Sequence, residues 1–131
     1  MELASVLLAD DHKDFLATAA RHLEGHFHVV EAVGDGQALL DQAARLDPDI
    51  VVLDISMPVL NGIEVARRLR AAGSPARIIF LTMHADPDIA RAALATGALG
   101  YVVKSRLVSD LLVSIREALA GRRFVSPSIA L

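Results

Sequence analysis

The sequence contains no cysteine and no tryptophan, and it has one tyrosine and four phenylalanines in 131 residues. Without cysteine the chain forms no disulfide and uses no thiolate chemistry, as is common in reducing compartments. No apolar run approaches the roughly 20 residues of a membrane span, and residues 1–5 lack the features of a secretory signal. The formal net charge of −3 provides no basic surface for nucleic acid. We therefore expect a cytoplasmic protein without membrane contact.

The chain is long enough for one domain with a full core, and 53% hydrophobic with 22% charged residues is typical of a globular fold. Short apolar runs alternate five times with helical patterns, which predicts a parallel sheet with helices on both faces. The runs predict strands at 6–9, 28–33, 50–53, 77–81 and 100–103, and the patterns between them predict helices at 13–24, 36–46, 62–72, 87–96 and 108–120.

Several helix starts carry their own signals. Asn61 with Glu64 three residues later resembles a capping box, and Asp86 before a proline predicts an N-cap. One of the two aspartates after the first strand is expected to cap the first helix. The last helix starts least clearly, because Leu107 offers no side-chain acceptor.

Polar residues at strand ends predict the strand order. Strand 2 alone ends without one, so it belongs on the outside, and the order becomes 2-1-3-4-5 with a crevice between strands 1 and 3. This is a five-stranded, doubly wound parallel sheet of the flavodoxin-like type with five helices. The polar residues that would meet at its edge are Asp10 and Asp11 after strand 1, Asp54 after strand 3, Thr82 at the end of strand 4 and Lys104 after strand 5.

Three carboxylates at one edge repel each other unless a cation intervenes. Mg²⁺ binds one or two carboxylates together with waters and phosphate oxygens, so it suits this set. Lys104 adds a positive charge and Thr82 a hydroxyl donor. Together these groups match the needs of a phosphoryl group, and an aspartate can be its nucleophile by forming an acyl phosphate.

Four motifs stand in order at the strand ends: Leu8-Ala9-Asp10-Asp11-His12, Val52-Leu53-Asp54-Ile55-Ser56-Met57-Pro58 with Asn61-Gly62, Phe80-Leu81-Thr82, and Tyr101-Val102-Val103-Lys104-Ser105. In these motifs the chain resembles, over essentially its whole length, the receiver domain of two-component response regulators. The resemblance implies that Asp54 accepts a phosphoryl group from the phosphohistidine of a sensor histidine kinase. It also implies that Asp11, Asp54 and the backbone carbonyl of Ser56 bind Mg²⁺ (or Mn²⁺), with Asp10 assisting through water.

By the same resemblance, Lys104 pairs with the phosphoryl oxygens, while Thr82 and Tyr101 form a switch that moves on phosphorylation. His84 is expected to modulate hydrolysis of the phosphate by shielding or orienting water. The protein is then a phosphoacceptor with slow self-dephosphorylation rather than an enzyme. Taken singly, Thr82 is more often an ordinary strand-end threonine and Lys104 a solvated lysine, and only their joint placement favours the functional interpretation. Tyr101 is more often a partly buried sheet residue than a switch, and its two interpretations stay evenly balanced. An exposed loop histidine is the commoner interpretation of His84.

The closing residues resemble the exit from the receiver in the NarL/FixJ (LuxR-type) subfamily, whose members carry a C-terminal helix-turn-helix domain. We expect a receiver domain at 1–120, with 121–131 as the start of a linker toward an output domain that is absent from this chain. DNA would then be reached only through that missing domain. Phosphorylation is expected to change a helix 4, strand 5 and helix 5 surface that controls homodimerisation and transcription. Arg106-Leu107-Val108 departs from the subfamily's polar cap and proline, which leaves the dimer surface open.

Other functions remain as alternatives. The chain is alternatively a stand-alone single-domain receiver or a docking module that works without phosphorylation. A metal-dependent phosphatase with an aspartyl nucleophile would need a second aspartate two residues after Asp54, where Ser56 stands. A flavin carrier on the same fold would need a phosphate-binding loop after strand 1, and the acidic residues there repel phosphate.

Overall fold

Six parallel strands form a single sheet in the order β2-β1-β3-β4-β5-β6. The computed structural model describes residues 2–131. The strands are β1 (Ser5–Ala9), β2 (His28–Val33), β3 (Ile50–Leu53), β4 (Arg77–Thr82), β5 (Gly100–Val103) and β6 (Phe124–Val125). The helices are α1 (Lys13–Leu23), α2 (Gly36–Leu46), α3 (Gly62–Ala71), α4 (Pro87–Leu94) and α5 (Leu107–Leu119), and a 3₁₀ turn (Lys104–Arg106) precedes α5.

Side chains alternate between the two faces of the sheet, which gives the domain two hydrophobic cores. Leu7, Val51 and Phe80 pack toward α2, α3 and α4. Their sequence neighbours on the strands pack toward α1 and α5, where Leu23 and Leu111 are fully buried. Because β1, β3, β4 and β5 are covered on both faces, their sequences are continuous apolar runs.

The predicted order of the first five strands is confirmed, and the flavodoxin-like arrangement with five helices is present. The prediction of five strands is corrected, because β6 adds a sixth strand beside β5. A two-residue strand has no periodicity, so its sequence carries no strand signal.

The helix starts show which caps form. Asn61 accepts from the Glu64 N–H at 2.9 Å and Asp86 accepts from the Asp88 N–H at 2.7 Å. The expected aspartate cap on α1 is wrong: His12 is the N-cap residue and makes no side-chain cap. The Asp10 carboxylate instead accepts the His12 N–H at 2.9 Å, outside the helix.

Helix α5 begins at the stretch Arg106-Leu107-Val108, which has no polar cap residue in the sequence. The 3₁₀ turn runs directly into the helix, and Arg106 at the junction supplies no cap acceptor. Arg106 instead forms two hydrogen bonds to Asp110, at 2.8 and 3.2 Å, across the first turn of α5. An ion pair thus stabilises a helix start that lacks a side-chain cap. None of the helices in residues 2–131 has the length and hydrophobicity needed to cross a bilayer.

Candidate functional site: a carboxylate cluster bridged by a lysine

The site lies where four neighbouring strands end at the same edge of the sheet. Asp10 follows β1, Asp54 follows β3, Thr82 ends β4 and Lys104 follows β5. The backbone brings the loops together closely: the Asp54 N–H donates to the Ala9 carbonyl at 3.1 Å. Behind Asp54, Gly62 is required, because a Cβ there would overlap the Asp54 carbonyl oxygen.

Lys104 joins two buried carboxylates. Its Nζ lies 2.7 Å from Asp10 Oδ2 and 3.1 Å from Asp54 Oδ2. Only 10% of the Lys104 side chain is exposed, and Nζ also lies 4.4 Å from the centre of the Phe15 ring, in cation–π contact. Burial by itself lowers the pKa of Lys104, but its hydrogen bonds to Asp10 and Asp54 outweigh that effect and raise the pKa. The lysine is therefore a permanent cation at neutral pH.

The remaining oxygens of the two carboxylates are also occupied. Asp54 Oδ1 accepts the Ile55 N–H at 2.7 Å, and Asp10 Oδ1 accepts the His12 N–H at 2.9 Å. Both residues are 4% exposed. Backbone and lysine together fix the orientation of each carboxylate, so Asp54 presents a defined geometry at the mouth of the crevice.

Beside this buried pair lies a more exposed acidic group. Ligand atoms of Asp10, Asp11 and His12 lie within 4.8 Å of one another. His12 Nδ1 is 3.2 Å from Asp10 Oδ1 and 3.0 Å from Asp11 Oδ1. Counting Asp54, this edge carries three carboxylates, two of which contact Lys104. Oxygen ligands and an excess of negative charge fit a hard divalent cation such as Mg²⁺.

An open cavity of about 630 Å³ extends outward from this edge. Its lining comes from the loops after β1, β3 and β4 and from α3 and α4: Asp11, Ile55, Ser56, Met57, Asn61, Ile63, Arg67, His84 and Ile89. Of the three carboxylates at this edge, Asp11 lines the cavity directly.

His84 contacts three residues of the site. Its ring Nε2 lies 2.8 Å from Ser56 Oγ. Its backbone N–H donates to Thr82 Oγ1 at 3.4 Å, and its backbone carbonyl accepts a hydrogen bond from the Tyr101 hydroxyl at 2.7 Å. The loop after β4 is thereby tied to the loop after β3 and to β5. The backbone of His84 thus contacts both Thr82 and Tyr101.

The Tyr101 ring points into the protein and is 0% exposed. Its centre lies 6.3 Å from that of Phe80. Burial, followed by the negative charges of Asp54 and Asp86, raises the pKa of Tyr101 to about 12.

The sequence model of the response regulator receiver domain family matches residues 6–116. The chain belongs to this family. NarL of Escherichia coli, a nitrate/nitrite response regulator, is 33% identical over 98% of this chain and 60% of its own length. A two-component response regulator of the LuxR family from Aurantimonas has a TM-score of 0.92 at 36% identity, covering 98% of this chain and 93% of that one.

The receiver domain of RcsB from Salmonella enterica, solved with the phosphomimetic BeF₃⁻, has a TM-score of 0.89 at 28% identity, covering 98% of this chain and 96% of that one. The expected membership in the NarL and LuxR group is confirmed, and the chain is the receiver domain of a two-component response regulator. It spans about 60% of the length of the curated relatives it matches.

The residues predicted for the receiver site lie close together in the structure, and their roles remain predictions. Sequence analysis missed His12 and Phe15. His12 directly follows the aspartate pair, and its histidine side chain next to two carboxylates is the signal that could have indicated it. Phe15 lies on the first turn of α1 among core residues, and nothing in its sequence context points to contact with Lys104.

Proposed function

We propose that this receiver domain takes a phosphoryl group on Asp54 from the phosphohistidine of a sensor histidine kinase. The observation that carries the proposal is the lysine bridge: Lys104 Nζ contacts both Asp54 and Asp10 at the edge of an open cavity. This cation lies 3.1 Å from Asp54, where negative charge would accumulate during the transfer.

In the transfer, a carboxylate oxygen of Asp54 forms a bond to phosphorus while the bond from phosphorus to the histidine nitrogen breaks. The bonding electrons stay on that nitrogen, which takes up a proton, and Asp54 becomes an acyl phosphate. Lys104 then pairs with the phosphoryl oxygens, and the Thr82 hydroxyl donates to one of them. No oxidant or further reactant is needed.

The carboxylates of Asp10, Asp11 and Asp54 and the carbonyl of Ser56 would hold Mg²⁺ or Mn²⁺. The ion supplies charge neutralisation for the phosphoryl oxygens. The support is the donor set: Lys104 contacts two of the three carboxylates, Asp10 and Asp54, and the third, Asp11, contacts only His12 among the charged groups described at this edge.

Thr82 and Tyr101 form the proposed switch, with His84 between them. Its carbonyl holds the Tyr101 hydroxyl while its N–H contacts Thr82 Oγ1. The His84 and Ser56 side chains, 2.8 Å apart, both line the cavity, and in this proposal they limit the approach of water to the phosphate. Their contact supports slow self-dephosphorylation as the way in which the signal ends.

The output proposed for this chain is phosphorylation-dependent homodimerisation in the cytoplasm, coupled to transcription through a helix-turn-helix domain. Residues 121–131 would lead toward that domain. Structures of RcsB show dimers bound to DNA, and that protein is longer than the matched region. Any DNA contact therefore depends on a domain beyond the receiver.

The test is intact mass after incubation with acetyl phosphate and Mg²⁺. Wild type and an Asp14→Asn control, changed at an exposed carboxylate on α1, should gain one phosphoryl group. Asp54→Asn should gain none. An equal adduct on Asp54→Asn, or no adduct on the wild type, would overturn the assignment of Asp54.

A further inference from the structure

Residues 124–129, here called the edge segment, cover the outer edge of β5. Phe124 and Val125 pair in parallel with Gly100 and Tyr101. The Phe124 N–H donates to the Leu99 carbonyl at 2.8 Å, and the Ser126 N–H donates to the Tyr101 carbonyl at 2.9 Å. The edge of the sheet next to the phosphoacceptor site is therefore occupied by the chain itself.

Ser126 anchors this segment and is 0% exposed. Its hydroxyl donates to Asp110 Oδ2 at 2.7 Å and accepts the Val103 N–H at 3.2 Å. Asp110 is 3% exposed and is held on its other side by Arg106. The Ser126 hydroxyl thus has a partner both as a donor and as an acceptor. Two of the four hydrogen bonds made by Ser126 reach β5, at the Tyr101 carbonyl and the Val103 N–H.

The apolar side chains of the segment pack beside the Tyr101 ring. Val125 is the register partner of Tyr101, so the two side chains lie on the same face of the sheet. Ile129 is 7% exposed and belongs to the hydrophobic cluster that contains Tyr101 and Leu94. A Tyr101 ring turned outward toward the sheet edge has to enter the space that Val125 occupies.

We propose that the edge segment is an output element docked in cis on β5, and that its docked position and the inward ring of Tyr101 stabilise each other. Phosphorylation of Asp54 draws Thr82 toward the phosphate, favours the inward ring and so tightens the segment. The proposal rests on the proposed phosphorylation of Asp54. Because coupling between two equilibria is reciprocal, loosening the segment must also weaken binding at the phosphoacceptor site.

The test combines amide exchange with phosphomimetic binding on the full chain. Amide exchange at positions 124 and 126 is followed by NMR with and without BeF₃⁻ and Mg²⁺, and BeF₃⁻ affinity is measured by fluorine NMR. BeF₃⁻ should slow both amides in the wild type. Ser126→Ala should speed both by about tenfold or more, the value of one hydrogen bond to a charged group. It should also weaken BeF₃⁻ binding by about fivefold or more, the lower end of typical coupling between sites.

Ser128→Ala, at an exposed position in the same segment, is the matched control and should change neither quantity. If Ser126→Ala does not fold, Val125→Ala replaces it as the test variant, because it perturbs the apolar contact with Tyr101. The coupling is overturned if a folded variant exchanges its segment amides faster but binds BeF₃⁻ as tightly as the wild type. It is also overturned if BeF₃⁻ binding speeds amide exchange in the edge segment of the wild type. Absence of Asp54-dependent BeF₃⁻ binding in the wild type would instead overturn the proposed function, and the coupling with it.

Discussion

The single tyrosine of the chain offers a direct test of the site geometry, because no other tyrosine or tryptophan contributes to its spectrum. Tyr101 is 0% exposed, and its hydroxyl donates to the His84 carbonyl at 2.7 Å. Burial, then the charges of Asp54 and Asp86, raises its pKa to about 12 from the ordinary value of 10.0. A difference of about two pKa units corresponds to roughly 3 kcal/mol between the protonation states.

The sign of the effect on stability follows from which state loses its proton first. Between about pH 10 and 12 the unfolded chain ionises its tyrosine while the folded protein keeps the neutral phenol. The unfolded state therefore binds fewer protons, and the free energy of unfolding falls as pH rises through this window. Below pH 10 Tyr101 contributes no pH dependence.

The assay is a stopped-flow pH jump read by phenolate absorbance before the protein unfolds, with circular dichroism recording unfolding separately. The denatured chain should titrate near 10. Asp86→Asn should lower the folded pKa, because it removes a negative charge while asparagine still caps α4. A folded wild type that titrates near 10 would show that the ring lies in solvent, and the arrangement of Tyr101 and His84 described above would be wrong.

Three further predictions concern stability in urea melts. Without divalent ions, Lys104→Met should lower the free energy of unfolding by about 3–5 kcal/mol, because two buried carboxylates lose their cation. Adding Asp54→Asn should restore part of that stability, and a Lys104→Met variant as stable as the wild type contradicts the bridge. Val59→Gly should raise the free energy of unfolding by about 1 kcal/mol, because Val59 is 75% exposed and its φ of 72° is a left-handed conformation that favours glycine. A less stable Val59→Gly variant shows that the turn is not strained. Bonds from Arg106 and Ser126 outweigh the effect of burial and lower the pKa of Asp110. The ionised Asp110 should therefore stabilise the folded protein above the ordinary carboxyl pKa, and this stabilisation should disappear as pH falls through the lowered pKa. A difference in the free energy of unfolding between wild type and Asp110→Asn that persists at lower pH contradicts this prediction.

Much of the fold could be predicted because local signals and burial agree. Continuous apolar runs marked four of the first five strands, a mainly apolar run marked β2, and the polar residue after each contributing strand ordered the sheet. The sixth strand escaped because Phe124–Val125 is too short for a pattern and forms only when β5 offers an edge. The start of α5 was also hard to predict, because its stabilising ion pair joins Arg106 in the 3₁₀ turn to Asp110 in the helix and uses no side-chain cap.

The composition of the candidate site was predictable, whereas its internal contacts were not. The positions of Asp54 and Lys104 follow from strand ends, but the bridge to Asp10 depends on the path of a flexible side chain across the sheet edge. The contact between His84 and Ser56 joins residues 28 apart in the chain. Side-chain rotamers, including that of Tyr101, depend on packing that a sequence does not display.

The tyrosine titration also separates a passive edge segment from a coupled one. Ser126 carries no charge and bonds to the Tyr101 backbone carbonyl rather than to the phenol, so removing its hydroxyl has no direct electrostatic effect on the phenol. If the segment only covers the sheet edge, Ser126→Ala leaves the Tyr101 pKa near 12. If the segment holds the ring inward, the variant populates an outward ring in water, and the pKa moves toward 10. An unchanged titration in a folded Ser126→Ala protein with a loosened segment would show that Tyr101 is held by Phe80 and the His84 carbonyl alone.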